Sequence, residues 1–312
     1  QWKKPLRVEH DLQIELERQK YYGFKFDTDK AQSLLSSIHS KMADLEQELQ
    51  DDFPPRLEVV KTLKYKLKKD GTESHHVVKA REDYALVKVD GEELNCYEYV
   101  PFNPGSPVDR IDRLWEAGWK PYEKTKTHQQ FSRLRVGDYY SKSVPKLTKE
   151  IMEEKTKHFQ RYGWVCNEDN LSTLPAKAPA GAKKLATWLT LEGRRSSLVE
   201  WVGQVKDDGR IHGSVEGIGA WTGRCAHNNP NTANIAAGFH GDVVTAVDAV
   251  KHEYDEQLRA LWCVDESSWL VGVDADGVQL RILGDQLWRH VGERSYSDTI
   301  VSGKKENETD IH

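Results

Sequence analysis

Ser267-Ser268-Trp269-Leu270-Val271-Gly272-Val273-Asp274-Ala275-Asp276-Gly277-Val278-Gln279-Leu280-Arg281-Ile282-Leu283-Gly284-Asp285 is the stretch that decides how the rest of the chain is read. An apolar, β-branched run of strand length leads into a carboxylate, and after Gly277 the pattern becomes helical, with Val278, Ile282 and Leu283 on one face. An acid therefore stands where a strand is expected to end and a helix to begin. A carboxylate at the end of a buried strand must be solvated, paired or bound to a cation. Asp274 is a candidate ligand of a divalent metal, and the alternative is a turn former or helix cap.

Upstream, Trp221-Thr222-Gly223-Arg224 is followed by Pro230-Asn231-Thr232-Ala233-Asn234-Ile235. Glycine lets a backbone approach closely, and arginine suits minor-groove acceptors or a phosphate. Taken in order, the three stretches resemble the polymerase domain of family A DNA polymerases, whose Thr-Gly-Arg and Pro-Asn-x-x-x-Ile elements precede a metal-binding Asp followed by a Leu-Arg pair. Asn103-Pro104-Gly105-Ser106 and Ala117-Gly118-Trp119-Lys120-Pro121 are similar to the phage replicative branch in particular.

The resemblance implies a fold class and a set of roles. The expected fold is α+β: a helical thumb with a β-rich insertion over residues 1–205, then the first part of a palm, an antiparallel sheet with helices, and the approach to the fingers over 206–312. Asp274 and the carbonyl of Ala275 would hold Mg²⁺, two ions serving the reaction with one carboxylate from this chain. Thr222, Arg224, Asn231 and Asn234 would contact DNA, with Arg224 at the primer end. Gln279 and His312 would face the incoming nucleotide. Two departures stand inside the metal element: Gln279 where the family usually has Glu, and Asp276 where it usually has Ser.

Composition sets the frame. The chain has 312 residues, enough for about two domains, and its 10 Trp, 12 Tyr and 7 Phe can furnish a large core. A formal net charge of −5 carries no basic signature, so nucleic-acid contact has to come from local patches. Cys96, Cys166, Cys225 and Cys263 lack zinc-ligand spacing, which fits a reducing, cytoplasmic setting. No apolar stretch nears the roughly 18 residues of a membrane span.

Along the chain, a helix is expected from His10 to Tyr22, closed by Gly23, and a longer one after Asp27 or Thr28 with Leu34, Leu35, Ile38, Met42, Leu45 and Leu49 at helical spacing. Residues 51–100 alternate Lys with Leu or Tyr and close on Asp70-Gly71 and Asp90-Gly91, which predicts exposed β-hairpins. Their lysines are a solvated strand face or a contact for DNA or a partner. In the polymerases of short-tailed phages an insertion at this place recruits host thioredoxin, so a thioredoxin-like processivity factor at 51–100 enters as a partner to test. Residues 123–165 fit none of the family elements and are expected to be a surface insertion. A helix over Ala182 to Val205 carries Arg194 and Arg195, which are solvated or, as in the family's thumb, set against the duplex backbone.

The function these readings imply is template-directed DNA synthesis on primer-template DNA with deoxynucleoside triphosphates. The fingers and the second metal carboxylate are missing from the sequence, so the chain is expected to need a complementary polypeptide. The competing reading is a non-catalytic DNA-binding accessory module that retains the thumb.

Overall fold

The computed structural model describes residues 2–140, 146–273 and 277–302. Its contacts divide the chain after Cys263 into two units, described separately below.

The first unit opens with α1 (Lys3–Tyr22). This helix starts earlier than the expected His10, because Pro5 falls in the first turn, where a missing N–H interrupts nothing. Gly23 ends it at φ 67°, and any side chain there would strike the ring of His212 and the carbonyl of Ile211. β1 (Phe24–Phe26) follows, then α2 (Thr28–Asp52), capped by Asp27, whose carboxylate accepts the Lys30 N–H at 3.0 Å. Leu34, Ile38, Met42 and Leu49 are buried as their spacing predicts.

Residues 51–100 depart from simple hairpins. β2 (Arg56–Lys64) is separated from β3 (Leu86–Asp90) by α3 (His75–Asp83), and β4 (Glu93–Val100) lies between the two strands, giving the antiparallel order β2-β4-β3. β3 and β4 form the expected hairpin, turning at Gly91 with φ 59°, while the turn at Asp70-Gly71 closes only a single antiparallel bridge, Leu67 to Glu73. Helix α3 places Val77 and Ala80 against Leu94 and Cys96 as a small core, which an open hairpin would lack. Lys61, Lys64, Lys66, Lys68 and Lys69 are all exposed.

The next helices are α4 (Pro107–Glu116), α5 (Lys126–Phe131), α6 (Lys149–Tyr162), α7 (Glu168–Leu171) and α8 (Ala180–Gln204). The stretch expected as a surface insertion is instead anchored. Arg161 forks onto Asp112 at 2.9 and 2.7 Å, Trp115 donates to the Arg161 carbonyl, and the fully buried Asn170 bonds Tyr122, Glu123 and Val165. Phe131, Leu147 and Phe159 form a core of their own.

After α8 come β5 (Arg210–Ile211), β6 (Ser214–Glu216), β7 (Ala226–Asn228), α9 (Ala246–Ala260) and β8 (Trp262–Cys263). The sheet expected to start near residue 207 is completed from far upstream: its order is β5-β1-β8, with Phe24 opposite Ile211 and Phe26 opposite Trp262. Phe26, Trp201 and Trp262 meet edge to face at 5.4 to 6.3 Å, contacts worth about 0.5–1.5 kcal/mol each beyond their buried area. The main core runs from this cluster through α2, α8 and α9.

In the second unit, α10 (Val278–Val291) and α11 (Ser295–Ser302) pack together around Gly284 and Ile300. The helix after Gly277 thus forms as expected. The strand before it does not: residues 267–273 carry no β-pairing, and Trp269 and Val273 are 91% and 92% exposed. A strand exists only against a neighbour, and no described residue supplies one to this run.

Candidate functional site

The Thr222-Gly223-Arg224 element lies in the loop joining β6 to β7. Two backbone hydrogen bonds tighten that loop, from Gly223 N–H to the Ala220 carbonyl at 2.8 Å and from Ala220 N–H to the Arg224 carbonyl at 3.0 Å. Gly223 takes φ 79°, a conformation other residues adopt only with strain. Trp221, Thr222 and Arg224 are exposed around it, so the sequence has built a braced, outward loop with a cation on it.

Asn231 and Asn234 follow on a 3₁₀ turn, Thr232–Asn234. The Asn231 side-chain oxygen accepts the Ala233 N–H at 3.1 Å, and His227 on β7 bonds the Thr232 hydroxyl at 2.8 Å, tying the turn to the hairpin. The structure therefore brings Thr222, Arg224, Asn231 and Asn234 onto one hairpin and the turn that continues it.

Arg194 and Arg195, expected to be solvated or set against a duplex backbone, each have a carboxylate partner within the protein. Arg194 is committed to Asp255 on α9 through bonds of 2.6 and 2.9 Å. Arg195 forks onto Glu192 one turn back, and this guanidinium holds the Glu192 carboxyl below the usual carboxylate range. Asp255 carries a signal in the sequence: it falls beside the apolar stripe Val247, Val250, Tyr254 and Leu258 of α9, where an acid requires a cation.

Gln279 is exposed in the first turn of α10, which Gly277 begins at φ 55°. Asp274, Ala275, Asp276 and His312 lie outside the described residues. Among the described residues, no group of three or more His, Cys, Asp or Glu side chains is placed to hold a metal ion, and no helix is long and apolar enough to cross a membrane.

The fold has a solved counterpart. The POL domain of Pol1 from M. smegmatis, solved in complex with DNA primer-template and dNTP, superposes with a TM-score of 0.52 over 96% of this chain and 36% of that one, at 15% identity. At that identity the likeness speaks to the fold, an α+β arrangement with small antiparallel sheets.

Residues 124–287 match DNA polymerase family A, a span that takes in more than half of the chain, and the chain belongs to that family. The match begins at 124 and so includes nearly all of the stretch expected to be an insertion, 123–165. Among its relatives are the DNA-directed DNA polymerases of Escherichia phage T7 and Enterobacteria phage T3, each 26% identical over 98% of this chain. The chain spans about two fifths of the length of these curated relatives, 41% of each.

Proposed function

We propose that the chain is the DNA-gripping part and half of the catalytic floor of a DNA-directed DNA polymerase, extending a primer with deoxynucleotides as a template directs. The observation that carries this reading is the span of the family match: 124–287 contains both the Arg224 element and the Asp274 element, in family order. Residues 1–205 are read as thumb and 206–312 as the first part of the palm. Primer-template DNA and deoxynucleoside triphosphates are the partners, as in the complex of the M. smegmatis neighbour.

In such a site the protein positions groups and neutralises charge, because phosphoryl transfer requires little covalent chemistry from it. Arg224, on its braced loop, would align the primer terminus. Asn231 and Asn234, on the turn that follows, would contact the template or its backbone. Gln279 would back the wall beside the sugar of the incoming nucleotide, with His312 approaching its triphosphate.

Mg²⁺, when bound, would stabilise the attacking and leaving oxygens. The chemistry of the donors fits it in kind, since a carboxylate of Asp274 and a carbonyl of Ala275 are hard oxygens. It does not fit in number: the reaction uses two ions, and one carboxylate with one carbonyl is too small a protein donor set to hold both. In this reading a complementary polypeptide would supply a second carboxylate and the fingers. A thioredoxin-like factor on residues 51–100 remains a partner to test by co-purification.

The test is extension by the chain reconstituted with such a complement. Asp274→Asn should abolish extension while leaving duplex binding nearly intact. Full extension by that variant refutes the assignment.

A further inference from the structure

Beside α5 and α6 lies a cavity of about 320 Å³ that the polymerase reading does not use. Its floor is aromatic. The imidazole of His128 stacks on Phe159, with ring centroids 5.5 Å apart and 16° between planes, and meets Trp164 edge to face at 5.2 Å. His128 is only 6% exposed, and its Nδ1 lies 3.0 Å from the Gly163 carbonyl oxygen. A carbonyl can only accept, so Nδ1 carries a proton.

In the neutral ring this leaves Nε2 as a lone-pair acceptor. No described residue bonds it, and it is not among the occluded atoms, so the free nitrogen of a side chain more than nine-tenths buried is open to the cavity that His128 lines. The seat of the ring is built. A side chain at residue 163 would come within 2.6 Å of the imidazole nitrogen, and only glycine leaves room.

A cation stands on the wall of the same cavity. Lys124 reaches the hydroxyl of Ser132 at 3.4 Å and has no carboxylate partner among the described residues. Flat aromatic walls, one buried acceptor and one available ammonium together select a planar heteroaromatic molecule with an N–H donor and an anionic tail. One imidazole is too few donors for a metal, and an aliphatic ligand would leave Nε2 unsatisfied.

We propose that this cavity is a nucleotide-binding site, with the base against His128, Phe159 and Trp164, a base N–H donating to His128 Nε2, and the phosphate on Lys124. Stacking of bases on aromatic side chains is favourable and tolerant of sequence, so the site accepts a free nucleotide or one nucleotide of a DNA strand. The site is built from residues other than those proposed for catalysis, and its test involves neither Mg²⁺ nor extension, so its failure and that of the polymerase reading are separable.

The experiment measures equilibrium binding of dTMP, thymidine and a 5′-phosphorylated single-stranded oligonucleotide to the 312-residue chain in the presence of a chelator. His128→Asn keeps an amide donor for the Gly163 carbonyl while removing the ring acceptor, and should weaken dTMP by about tenfold or more, the scale of one lost polar contact. Lys124→Met should weaken dTMP by about the same factor and leave thymidine unchanged. If His128→Asn fails to melt cooperatively, Thr156→Leu, which narrows the cavity from α6, takes its place with the same expected loss. Competition by the oligonucleotide assigns the site to a strand; dTMP binding without competition assigns it to free nucleotide. No saturable dTMP binding at millimolar concentration, or unchanged affinity in the variants, overturns the proposal.

Discussion

Arg194 and Asp255 are joined by two nearly parallel hydrogen bonds, Nε to Oδ1 at 2.6 Å and Nη2 to Oδ2 at 2.9 Å, which link α8 to α9 across the edge of the main core. Asp255 is 5% exposed, so removing its partner strands a carboxylate away from water. Arg194→Ala should cost about 3–5 kcal/mol of folding stability, measured by urea unfolding. Combining it with Asp255→Leu should restore much of that loss, because the uncompensated charge is gone. A single substitution with no measurable cost would show that the pair does not hold the helices.

The start of α9 should respond to acid. Asp248 accepts from the Thr245 hydroxyl at 2.9 Å and from its N–H at 3.2 Å, and these bonds, the hydroxyl's foremost, hold the carboxyl below the ordinary aspartate value. A depressed folded value means that the contribution is present above the unfolded aspartate value of about 3.9 and is lost as pH falls through the folded one. Melting temperature should therefore fall less steeply with acidification in Asp248→Asn than in the parent chain. Identical slopes would remove Asp248 from the acid response.

Arg224 is expected to matter more for rate than for binding. Its carbonyl is fixed by Ala220, so the side chain springs from a settled backbone suited to alignment. In the reconstituted polymerase, Arg224→Ala should lower extension rate by a larger factor than it lowers primer-template affinity. Equal losses would reduce it to an ordinary phosphate clamp.

If Gln279 faces the incoming nucleotide as proposed, it should bear on sugar selection. A glutamate at this place could accept a charge-assisted bond from an aromatic hydroxyl of the fingers, whereas an amide makes a neutral and weaker one. The difference is on the order of 1 kcal/mol, less than tenfold in discrimination. Gln279→Glu should raise the ratio of kcat/KM for deoxy over ribo substrates modestly. A flat or falling ratio would exclude Gln279 from the sugar gate.

The long helices were legible because their apolar residues recur at one or two helical turns: Leu34, Ile38, Met42 and Leu49 on α2 and Leu185, Leu191 and Leu198 on α8 are all buried. Helix α3 was hidden because only Val77 and Ala80 of its nine residues are buried, too short a pattern to outweigh the strands around it. Residues 267–273 carry a β-prone pattern yet form no strand, because local pattern does not reveal whether a neighbouring strand is present. Arg194 was read by its own helix, while the residue that decides its role lies 61 positions further on. His128 gave no signal at all. Its significance comes from Gly163 and Trp164, which only the fold brings to it.

The central position of β1 orders events in time. A strand from the mid-twenties whose two neighbours are residues 210–211 and 262–263 cannot be completed until nearly the whole first unit has left the ribosome. Until then Phe24 and Phe26 must wait beside α2 with at least one strand edge open, since non-local pairings form late. Nascent chains halted before Trp262 should therefore be the ones that chaperones hold and proteases cut. The β5-β1-β8 sheet acts as a latch that shuts only when synthesis has passed it.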